Sequence, residues 1–300
     1  MKAKVGIVLL NYNSYEDTID CINSLSNINY DNYCIVIIDN CSTDDSFAKL
    51  KKINSNKIYI IKSEFNGGWS SGNNLGIKKC LELNCEYILL LNNDTLVEKN
   101  FLEILIDFYE KNKICGIVAP KIMYNSNRKM IWFAGGSINF HKFLADNIGN
   151  KEFDGDEFSN IHESEYITGC AMLINKKIIN DCGYLPEEYF MYLEDVDYSL
   201  QVKKHGYKLY VQPKSIIYHK VSASTGGEDS PFTIKWMTRN RWLFFKKYKN
   251  LSIRSTTLSA IHIFLSNFKN ILNYVINFDI KRLNAMLSGM LEGMRLLFKS

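Results

Sequence analysis

Residues 5–13 read Val-Gly-Ile-Val-Leu-Leu-Asn-Tyr-Asn, an apolar run that ends in polar side chains. A short run of β-branched and leucine residues is typical of a strand covered on both faces. Three further runs of this kind follow within the first third of the chain, at 34–38, 58–61 and 87–91. Stretches with apolar residues at helical spacing lie between or after them, at 15–25, 44–53 and 101–109. This alternation predicts right-handed crossovers and a mostly parallel α/β sheet.

The composition is that of a globular chain. Of 300 residues, 46% are hydrophobic and 23% are charged, which excludes a disordered polymer. The net charge of +4 is small for this length and does not indicate a nucleic-acid partner. No run of 18 apolar residues is present, so no segment is expected to span a bilayer.

The eight cysteines form no Cys-x-x-Cys pair and mostly lie in apolar segments. This pattern favours buried thiols in a reducing compartment over a disulfide framework or a zinc site. The apolar segment that starts the chain is too short for a secretory signal. We therefore expect a cytoplasmic protein.

The second half of the chain is less regular. Residues 122–160 indicate irregular hairpins with a mobile loop, and 166–175 indicate a strand. Asp195 is expected to start a helix over 196–205 that Gly206 ends. Two strands, 208–211 and 215–218, then lead to His219. The composition changes after this point, so we expect a catalytic domain over 1–225 and a basic, aromatic-rich helical region over 226–300.

That C-terminal region has no acidic residue between Ser230 and Phe278 but has several lysines, arginines and aromatic residues. It is least typical of a nucleic-acid patch. Residues 258–276 have apolar residues at helical spacing, which suits a helix on an anionic membrane surface or against a partner. Ordinary packing with a solvated basic face is an equally good interpretation.

Ligands of such sheets bind beyond the carboxyl ends of the strands, where this sequence has polar residues. Asp39 follows the second strand, and its carboxylate can accept the N3 hydrogen of uracil or thymine. Asp94 follows the fourth strand within Asn92-Asn93-Asp94, and could hold Mg²⁺ or Mn²⁺ together with substrate phosphates. The alternatives are an Asx turn at Asp39 and a helix cap at Asp94.

The loop 66–76 reads Asn-Gly-Gly-Trp-Ser-Ser-Gly-Asn-Asn-Leu-Gly. Its glycines let the backbone approach a ligand, and a helix that begins near Gly72 would offer free amides to an anion or a ribose. The spacing is neither that of a P-loop nor that of Gly-x-Gly-x-x-Gly. A glycine-rich turn with an asparagine cap remains the alternative.

Five carboxylates occur within the 11 positions 187–197. Because they repel one another, we expect at least one to be functional. A helix N-terminus would keep Asp195 ionised, so that it could remove a proton from an acceptor hydroxyl. His219 ends another strand, where a neutral imidazole is a suitable ligand for Mn²⁺. An ordinary helix cap and a lone core histidine are the alternatives.

Together these residues resemble a family 2 glycosyltransferase of the GT-A fold, and more narrowly its bacterial rhamnosyltransferase-like branch. The resemblance runs from Val5 to about Arg241. It is carried by eight pieces in order: residues 8–13, 38–44, 66–76, 91–94, Thr168-Gly169-Cys170-Ala171, 190–197, Tyr218-His219 and Arg239-Asn240.

The resemblance implies an inverting transfer of a sugar from a UDP- or dTDP-sugar to a glycan hydroxyl, with Mg²⁺ or Mn²⁺ as cofactor. The implied roles are the general base for Asp195, nucleotide contacts for Asn11, Asp39, Asn66, Gly72 and Asn93, and metal ligation for Asp94 and His219. Acceptor or donor-sugar contacts are expected from Trp132, Thr168, Gly169 and Glu194. Asn92 departs from the family pattern, in which this position is often aspartate, and is left out of the metal set.

The expected acceptor is a lipid-linked or cell-surface polysaccharide, met at the inner face of the cell membrane, and the C-terminal helices could also form a homodimer. Two other classes remain open. A sugar nucleotidyltransferase would need a basic residue in its N-terminal loop, and residues 10–14 contain none. A catalytically silent glycan-binding protein would have no use for both Asp94 and Asp195.

Overall fold

The structure is a computed structural model that describes residues 2–221, 227, 229–251 and 256–298. The chain divides into two compact units. The first contains residues 1–137, 147–188 and 194–221, and the second contains 138–146, 189–193 and 222–300. The expected boundary at residue 225 lies outside the described residues, and the domain division at that point stays a prediction.

The first unit is built on a ten-stranded sheet. Its strands are β1 (Val5–Asn11), β2 (Tyr33–Asp39), β3 (Ile58–Lys62), β4 (Tyr87–Asn92), β5 (Thr95–Val97), β6 (Cys115–Tyr124), β7 (Ile131–Phe133), β10 (His162–Glu163), β11 (Ala171–Asn175) and β12 (Lys208–His219). A separate two-stranded sheet joins β8 (Gly136–Asn139) to β9 (Leu144–Asn147). The helices of this unit are α1 (Tyr15–Leu25), α2 (Ser46–Leu50), α3 (Gly68–Glu82), α4 (Phe101–Lys111), α5 (Lys176–Cys182) and α6 (Glu194–Lys204).

The main path of the sheet has the order β10-β12-β6-β11-β4-β1-β2-β3. Strands β1, β2, β3 and β4 are mutually parallel, and β6 and β12 are parallel to each other. Strand β11 runs antiparallel between β4 and β6. The mostly parallel α/β sheet expected from the sequence is therefore confirmed, and the carboxyl ends of β1, β2 and β4 meet at one edge.

The core explains why these apolar runs form strands. Ile7, Val8 and Leu9 of β1 have no exposed surface, since helices cover both faces of the sheet. Helix α3 packs closely on β1 because it has glycine at the contact: a Cβ at Gly72 would lie 2.3 Å from Cδ1 of Leu10. The close helix–strand packing in this region therefore depends on that glycine.

Several sequence expectations were wrong in detail. Strand β11 begins at Ala171 rather than 166, and the two strands expected over 208–218 are one strand, β12, with an irregularity between Gln212 and Ile216. Helix α3 begins at Gly68, one turn before Gly72. The left-handed Gly206 that follows α6 is confirmed, with φ of 86°.

The second unit contains helices α7 (Pro231–Tyr248), α8 (Thr256–Ile276) and α9 (Ile280–Phe298). Helix α9 packs tightly on α7, where a Cβ at Gly289 would lie 2.4 Å from the Lys235 carbonyl oxygen. The buried Asn240 of α7 donates to the carbonyls of Met191 and Tyr192, at 2.7 and 3.0 Å. These bonds hold a stretch in which Tyr192 has the left-handed φ of 76°.

Within the described ranges, no helix combines the length and the apolar character that a bilayer crossing requires. All eight cysteines are free thiols, and six of them are buried.

Candidate active site

The candidate site lies in the first unit, at the carboxyl edge of the sheet. Asp39 ends β2, directly beside Asn11 at the end of β1. Its carboxylate accepts from the Asn11 amide at 3.0 Å and from the Ser42 backbone N–H at 3.0 Å. Asp39 and Asn11 both have 0% exposed surface. The Asp39 side chain thus bonds the turn after β2 three residues on, and the N–H two residues on, that of Cys41, donates instead to the Asp39 backbone carbonyl at 2.8 Å.

Thr18 of α1 links this pair to the end of β4. Its hydroxyl donates to Oδ1 of Asn11 at 2.9 Å and accepts from Nδ2 of Asn93 at 2.8 Å. A continuous hydrogen-bonded path therefore runs from Asp39 through Asn11 and Thr18 to Asn93, the residue before Asp94. The sequence analysis missed Thr18, because nothing in the spacing of α1 distinguishes it from an ordinary buried helix residue.

The loop that carries Asn66 also contacts this edge. Oδ1 of Asn66 accepts from Asn40 at 2.9 Å and from the Gly68 backbone N–H at 3.1 Å. Asn66 therefore ties the start of α3 to the turn after β2, although the N-cap residue of the helix is Gly67 and not an asparagine. Gly72 lies further along α3, in the packing contact with Leu10.

Asp94 and His219 form the second part of the site. Nε2 of His219 lies 3.1 Å from Oδ1 of Asp94, and both side chains are largely buried. Nδ1 of His219 is a buried atom without a hydrogen-bond partner in the described part of the chain. The ring of Trp132 contacts the imidazole edge-on, with ring centroids 4.5 Å apart. Trp132 thus packs against the proposed metal ligand.

The charge of this pair depends on its surroundings. Burial lowers the pKa of His219, but Cys170 and Asp94 raise it by more, so that it reaches about 10. Without a cation the imidazolium and Asp94 form an ion pair. A divalent cation would displace the imidazolium proton, because metal ligation requires the neutral ring.

These residues fit a hard divalent cation. Two ligands of an octahedral Mg²⁺ or Mn²⁺ lie about 3.0 Å apart when each is about 2.1 Å from the metal, close to the separation of Asp94 and His219. Asn92 is a weaker candidate ligand for the cation, because its side-chain oxygen already accepts a hydrogen bond from the Trp69 indole at 3.3 Å. Among the described residues, no group of three or more His, Cys, Asp or Glu side chains is placed to hold a metal. Substrate oxygens would have to supply the remaining ligands.

Asp195 lies in the first turn of α6 and is partly buried. Its Oδ2 accepts from the Gly169 backbone N–H at 2.9 Å, and its Oδ1 accepts from Val196 at 2.8 Å. Burial nevertheless raises the pKa of Asp195, against the effect of these N–H groups. Burial thus opposes the effect of the helix N-terminus on Asp195, and the expectation that this carboxylate is ionised stays a prediction.

Glu194 is the neighbour of Asp195 and is 6% exposed. Its Oε2 has no hydrogen-bond partner in the described ranges. Burial and the charge of Asp195 raise the pKa of Glu194 well above its usual value. The two adjacent carboxyls therefore favour a state in which Glu194 is protonated and Asp195 carries the charge.

Cys170 places the two parts of the site near each other. Burial raises the pKa of this thiol, His219 lowers it, and Asp94 and Asp195 both raise it further. The Cys170 carbonyl accepts from the Asn92 N–H at 2.9 Å, and the Gly169 N–H donates to Asp195 at 2.9 Å, so the end of β4 and the start of α6 meet at this segment. Thr168 and Gly169 precede Cys170, and the Thr168 hydroxyl accepts from the Cys170 N–H at 3.3 Å. The sequence analysis treated Cys170 only as a core thiol.

Comparison with known proteins decides the family. A family model described as Glycosyl transferase family 2 matches residues 6–182. The chain belongs to this family. The match spans β1 to α5 and includes Asp39, Asp94 and Gly169 of the sheet edge described above.

Two curated relatives also resemble this glycosyltransferase. The low-salt glycan biosynthesis hexosyltransferase Agl10 of Haloferax volcanii is 26% identical over 267 residues, which cover 88% of this chain and 82% of the relative. The poly-beta-1,6-N-acetyl-D-glucosamine synthase of Staphylococcus epidermidis is 24% identical, and the match covers 79% of this chain and 53% of the synthase. The chain thus spans about half the length of that synthase.

Solved structures share the fold at low identity. GalNAc-T7 with UDP, GalNAc and Mn²⁺ superposes with a TM-score of 0.63 at 14% identity, over 87% of this chain and 54% of that one. The mannosyltransferase of Pyrobaculum calidifontis, in complex with GDP-Man and Mn²⁺, superposes with a TM-score of 0.61 at 9% identity, over 98% and 88%. The GT-A fold expected for this glycosyltransferase is confirmed.

Proposed function

We propose that this glycosyltransferase moves a sugar, with inversion, from a UDP- or dTDP-sugar to a hydroxyl of a glycan acceptor. A rhamnose-type donor is favoured by the resemblance of its motifs to that branch. The observation that carries the proposal is the Gly169-Cys170 segment: the Gly169 N–H donates to Asp195 at 2.9 Å, and the Cys170 carbonyl accepts at 2.9 Å from the N–H of Asn92, two residues before Asp94. A cation-bound diphosphate and a proton acceptor are thereby brought into one site.

Donor recognition is assigned to the edge formed by β1, β2 and α3. Asp39 accepts the N3 hydrogen of uracil or thymine, and Asn11, Asn66, Gly72 and Asn93 line the nucleoside site. Because Asp39 has 0% exposed surface, the turn that follows it must open for a base to reach the carboxylate. The Ser42 N–H is the bond that such an opening breaks.

Asp94 and His219 hold Mg²⁺ or Mn²⁺ in this proposal, supported by the separation of 3.1 Å between Nε2 of His219 and Oδ1 of Asp94. The bound cation would stabilise the negative charge that grows on the leaving diphosphate. Mn²⁺ in the two solved neighbours agrees with this assignment.

Asp195 acts as the general base. Its carboxylate takes the proton of the acceptor hydroxyl while that oxygen forms a bond to the anomeric carbon. The bond from this carbon to the diphosphate breaks on the opposite face, and the configuration inverts. The raised pKa of Asp195 brings it closer to the working pH, which favours proton transfer. Trp132, Thr168, Gly169 and Glu194 are assigned to the donor sugar or acceptor.

The acceptor is proposed to be a lipid-linked or cell-surface polysaccharide precursor, and the enzyme to work at the inner face of the cell membrane. Glycan synthesis in the names of both curated relatives supports a glycan acceptor. The same helical region that would meet a membrane could instead join two subunits.

The test is release of free UDP or dTDP from a panel of nucleotide sugars with Mn²⁺, with native membranes as acceptor. We expect one donor to be turned over, and Asp195→Asn to reduce turnover by about 10²- to 10⁴-fold while nucleotide affinity is kept. Formation of a nucleoside triphosphate and a sugar 1-phosphate from pyrophosphate and a nucleotide sugar would instead indicate a nucleotidyltransferase. Binding without turnover of any donor would indicate a silent glycan-binding protein.

A further inference from the structure

Helix α8 has a continuous apolar stripe on its exposed face. Eight apolar residues are each between 47% and 73% exposed: Leu258, Ile261, Phe264, Leu265, Phe268, Leu272, Val275 and Ile276. At 3.6 residues per turn, they fall within an arc of about 120°. The three buried residues of the helix, Ser259, Ile263 and Asn267, lie on the opposite side. The stripe therefore faces away from the helices on which α8 packs.

A stripe of this size needs a partner. Single exposed apolar side chains are common on soluble proteins, but a contiguous row along a helix of about 31 Å marks an interaction surface. The row continues beyond the helix end with Phe278 and Ile280, which are 88% and 67% exposed. An apolar row along one side of a helix suits a helix that lies along a surface.

A cationic pocket adjoins the first residue of the stripe. It has a volume of about 170 Å³ and is lined by Asn139, His141, Lys142, Leu258, Ser259 and His262. None of these lining residues is acidic, and Nδ1 of His141 is a buried atom without a hydrogen-bond partner in the described ranges. The pocket therefore offers donors and positive charge to an anion.

A buried arginine adds to the positive charge under this pocket. Arg241 is 6% exposed and donates from Nε to the Lys142 carbonyl oxygen at 2.6 Å. No ion pair joins Arg241 to a carboxylate among the described residues, and its other contact is to the Ser266 hydroxyl at 3.4 Å. Lys269 and His262 lie on the same flank of α8, beside the stripe.

We propose that the α8 stripe and the adjoining pocket form one docking surface for an anionic phospholipid membrane. The apolar side chains enter the acyl boundary, and the pocket takes the phosphate of a headgroup. The proposal rests on the membrane location proposed above, but not on the reaction. Charge favours lipid over a second copy of the chain, because a symmetric dimer would bring the same cationic face together without carboxylates to pair with it.

The test measures binding of the full-length protein to sedimented vesicles. One set is pure phosphatidylcholine, and in the other a third of the lipid is phosphatidylglycerol. We expect the anionic vesicles to bind at least about tenfold more tightly. The double variant Phe264→Ser with Phe268→Ser should lose at least about tenfold in affinity for them. Ile114→Ser, an exposed apolar residue of the first unit at 48%, is the matched control and should bind as wild type.

The pocket is tested separately with Lys142→Gln combined with His262→Gln. We expect this variant to lose about fivefold in affinity for anionic vesicles through the charge of Lys142, with little change on neutral ones. Lys111→Gln, an exposed lysine at the end of α4, is its control. Equal binding of wild type and the stripe variant to anionic vesicles would overturn the proposal.

Light scattering tests the alternative occupant of this surface, a second copy of the chain. If wild type is a dimer that the stripe variant converts to a monomer, and neither binds vesicles, the surface is a subunit interface and the lipid proposal fails. Thermal melts verify that each variant is folded. Nucleotide release in solution should be unchanged in every variant, so absence of turnover in wild type would count against the proposed reaction and leave membrane docking standing.

Discussion

Nε2 of His219, the last residue of β12, lies 3.1 Å from Oδ1 of Asp94, the residue that follows β4. The two strands are not neighbours in the sheet, but β5, which begins directly after Asp94, pairs with β12 and aligns Thr95 with His219. The contact is therefore fixed by backbone pairing, and a cation would meet two ligands already held together.

This arrangement predicts a strong effect of His219→Ala on metal use. We expect the Mn²⁺ concentration for half-maximal turnover to rise by more than about tenfold, the lower bound seen for the loss of an outer-shell partner of a metal ligand. The measurement is nucleotide release as a function of Mn²⁺. Asp156→Asn, which changes an exposed carboxylate, should leave the curve unchanged. An unaltered Mn²⁺ curve for His219→Ala would contradict the ligand assignment.

The pH profile is the second prediction. Asp195 must be ionised to accept a proton, so kcat/KM should fall as the pH drops through its pKa. Because burial raises that pKa, the acid limb should lie above the ordinary carboxyl value of 3.8. Because Glu194 is already protonated in the pH range where Asp195 titrates, Glu194→Gln should leave the acid limb where it is. A limb at the ordinary value in wild type would argue against Asp195 as the base.

Glu194 also predicts how stability depends on pH. Its folded-state pKa is raised well above 4.5, so the folded chain binds this proton more tightly than the unfolded chain. The stabilisation is fully present below the unfolded-state pKa and is lost as pH rises through the folded-state pKa. Thermal melts should therefore show Glu194→Gln to be more stable than wild type at neutral pH, with the difference shrinking in acid. Glu157→Gln, at an exposed position, should not change this pH dependence.

The fold could be predicted from the sequence where the pattern is local. Strands β1 and β2 are uninterrupted apolar runs. The polar residues at their ends, Asn11 and Asp39, could therefore be identified as candidate site residues. Strand β6 was missed because Pro120 and Lys121 interrupt its pattern. Lys121 is buried at 4% exposure and pairs with Asp154 at 2.6 Å, a contact that only the folded chain reveals.

The site could be predicted only in part, for a similar reason. Asp94 and His219 stand at strand ends, which the sequence identifies, but their contact depends on the pairing of β5 with β12. The protonation of Asp195 depends on burial that no local pattern records. The roles of all the candidate site residues stay predictions until the variants are measured.

Thr18 provides a prediction about the hydrogen-bonded path from Asp39 to Asn93. Thr18→Val removes the hydroxyl and leaves the buried Asn11 oxygen and the Asn93 amide without this partner. We expect a loss of about 1–3 kcal/mol in the free energy of unfolding, measured by denaturant titration. Thr18→Ser keeps the hydroxyl and should recover the part of the lost free energy of unfolding that is due to hydrogen bonding. Equal losses for both variants would show that the methyl group, not the hydroxyl, carries the effect.

A variant of Gly72 can distinguish a role of this residue in packing from a role in nucleotide binding. Its added Cβ would lie 2.3 Å from Leu10 Cδ1, so Gly72→Ala should cost about 1–3 kcal/mol in stability by overpacking. This loss outweighs the gain of up to about 1 kcal/mol that alanine normally brings inside a helix. Leu10→Val should recover part of the stability when combined with Gly72→Ala, because it shortens the side chain that clashes. If Gly72→Ala instead raises KM for the donor while its melting temperature is unchanged, Gly72 acts through close approach of the backbone to the nucleotide and packing is not its role.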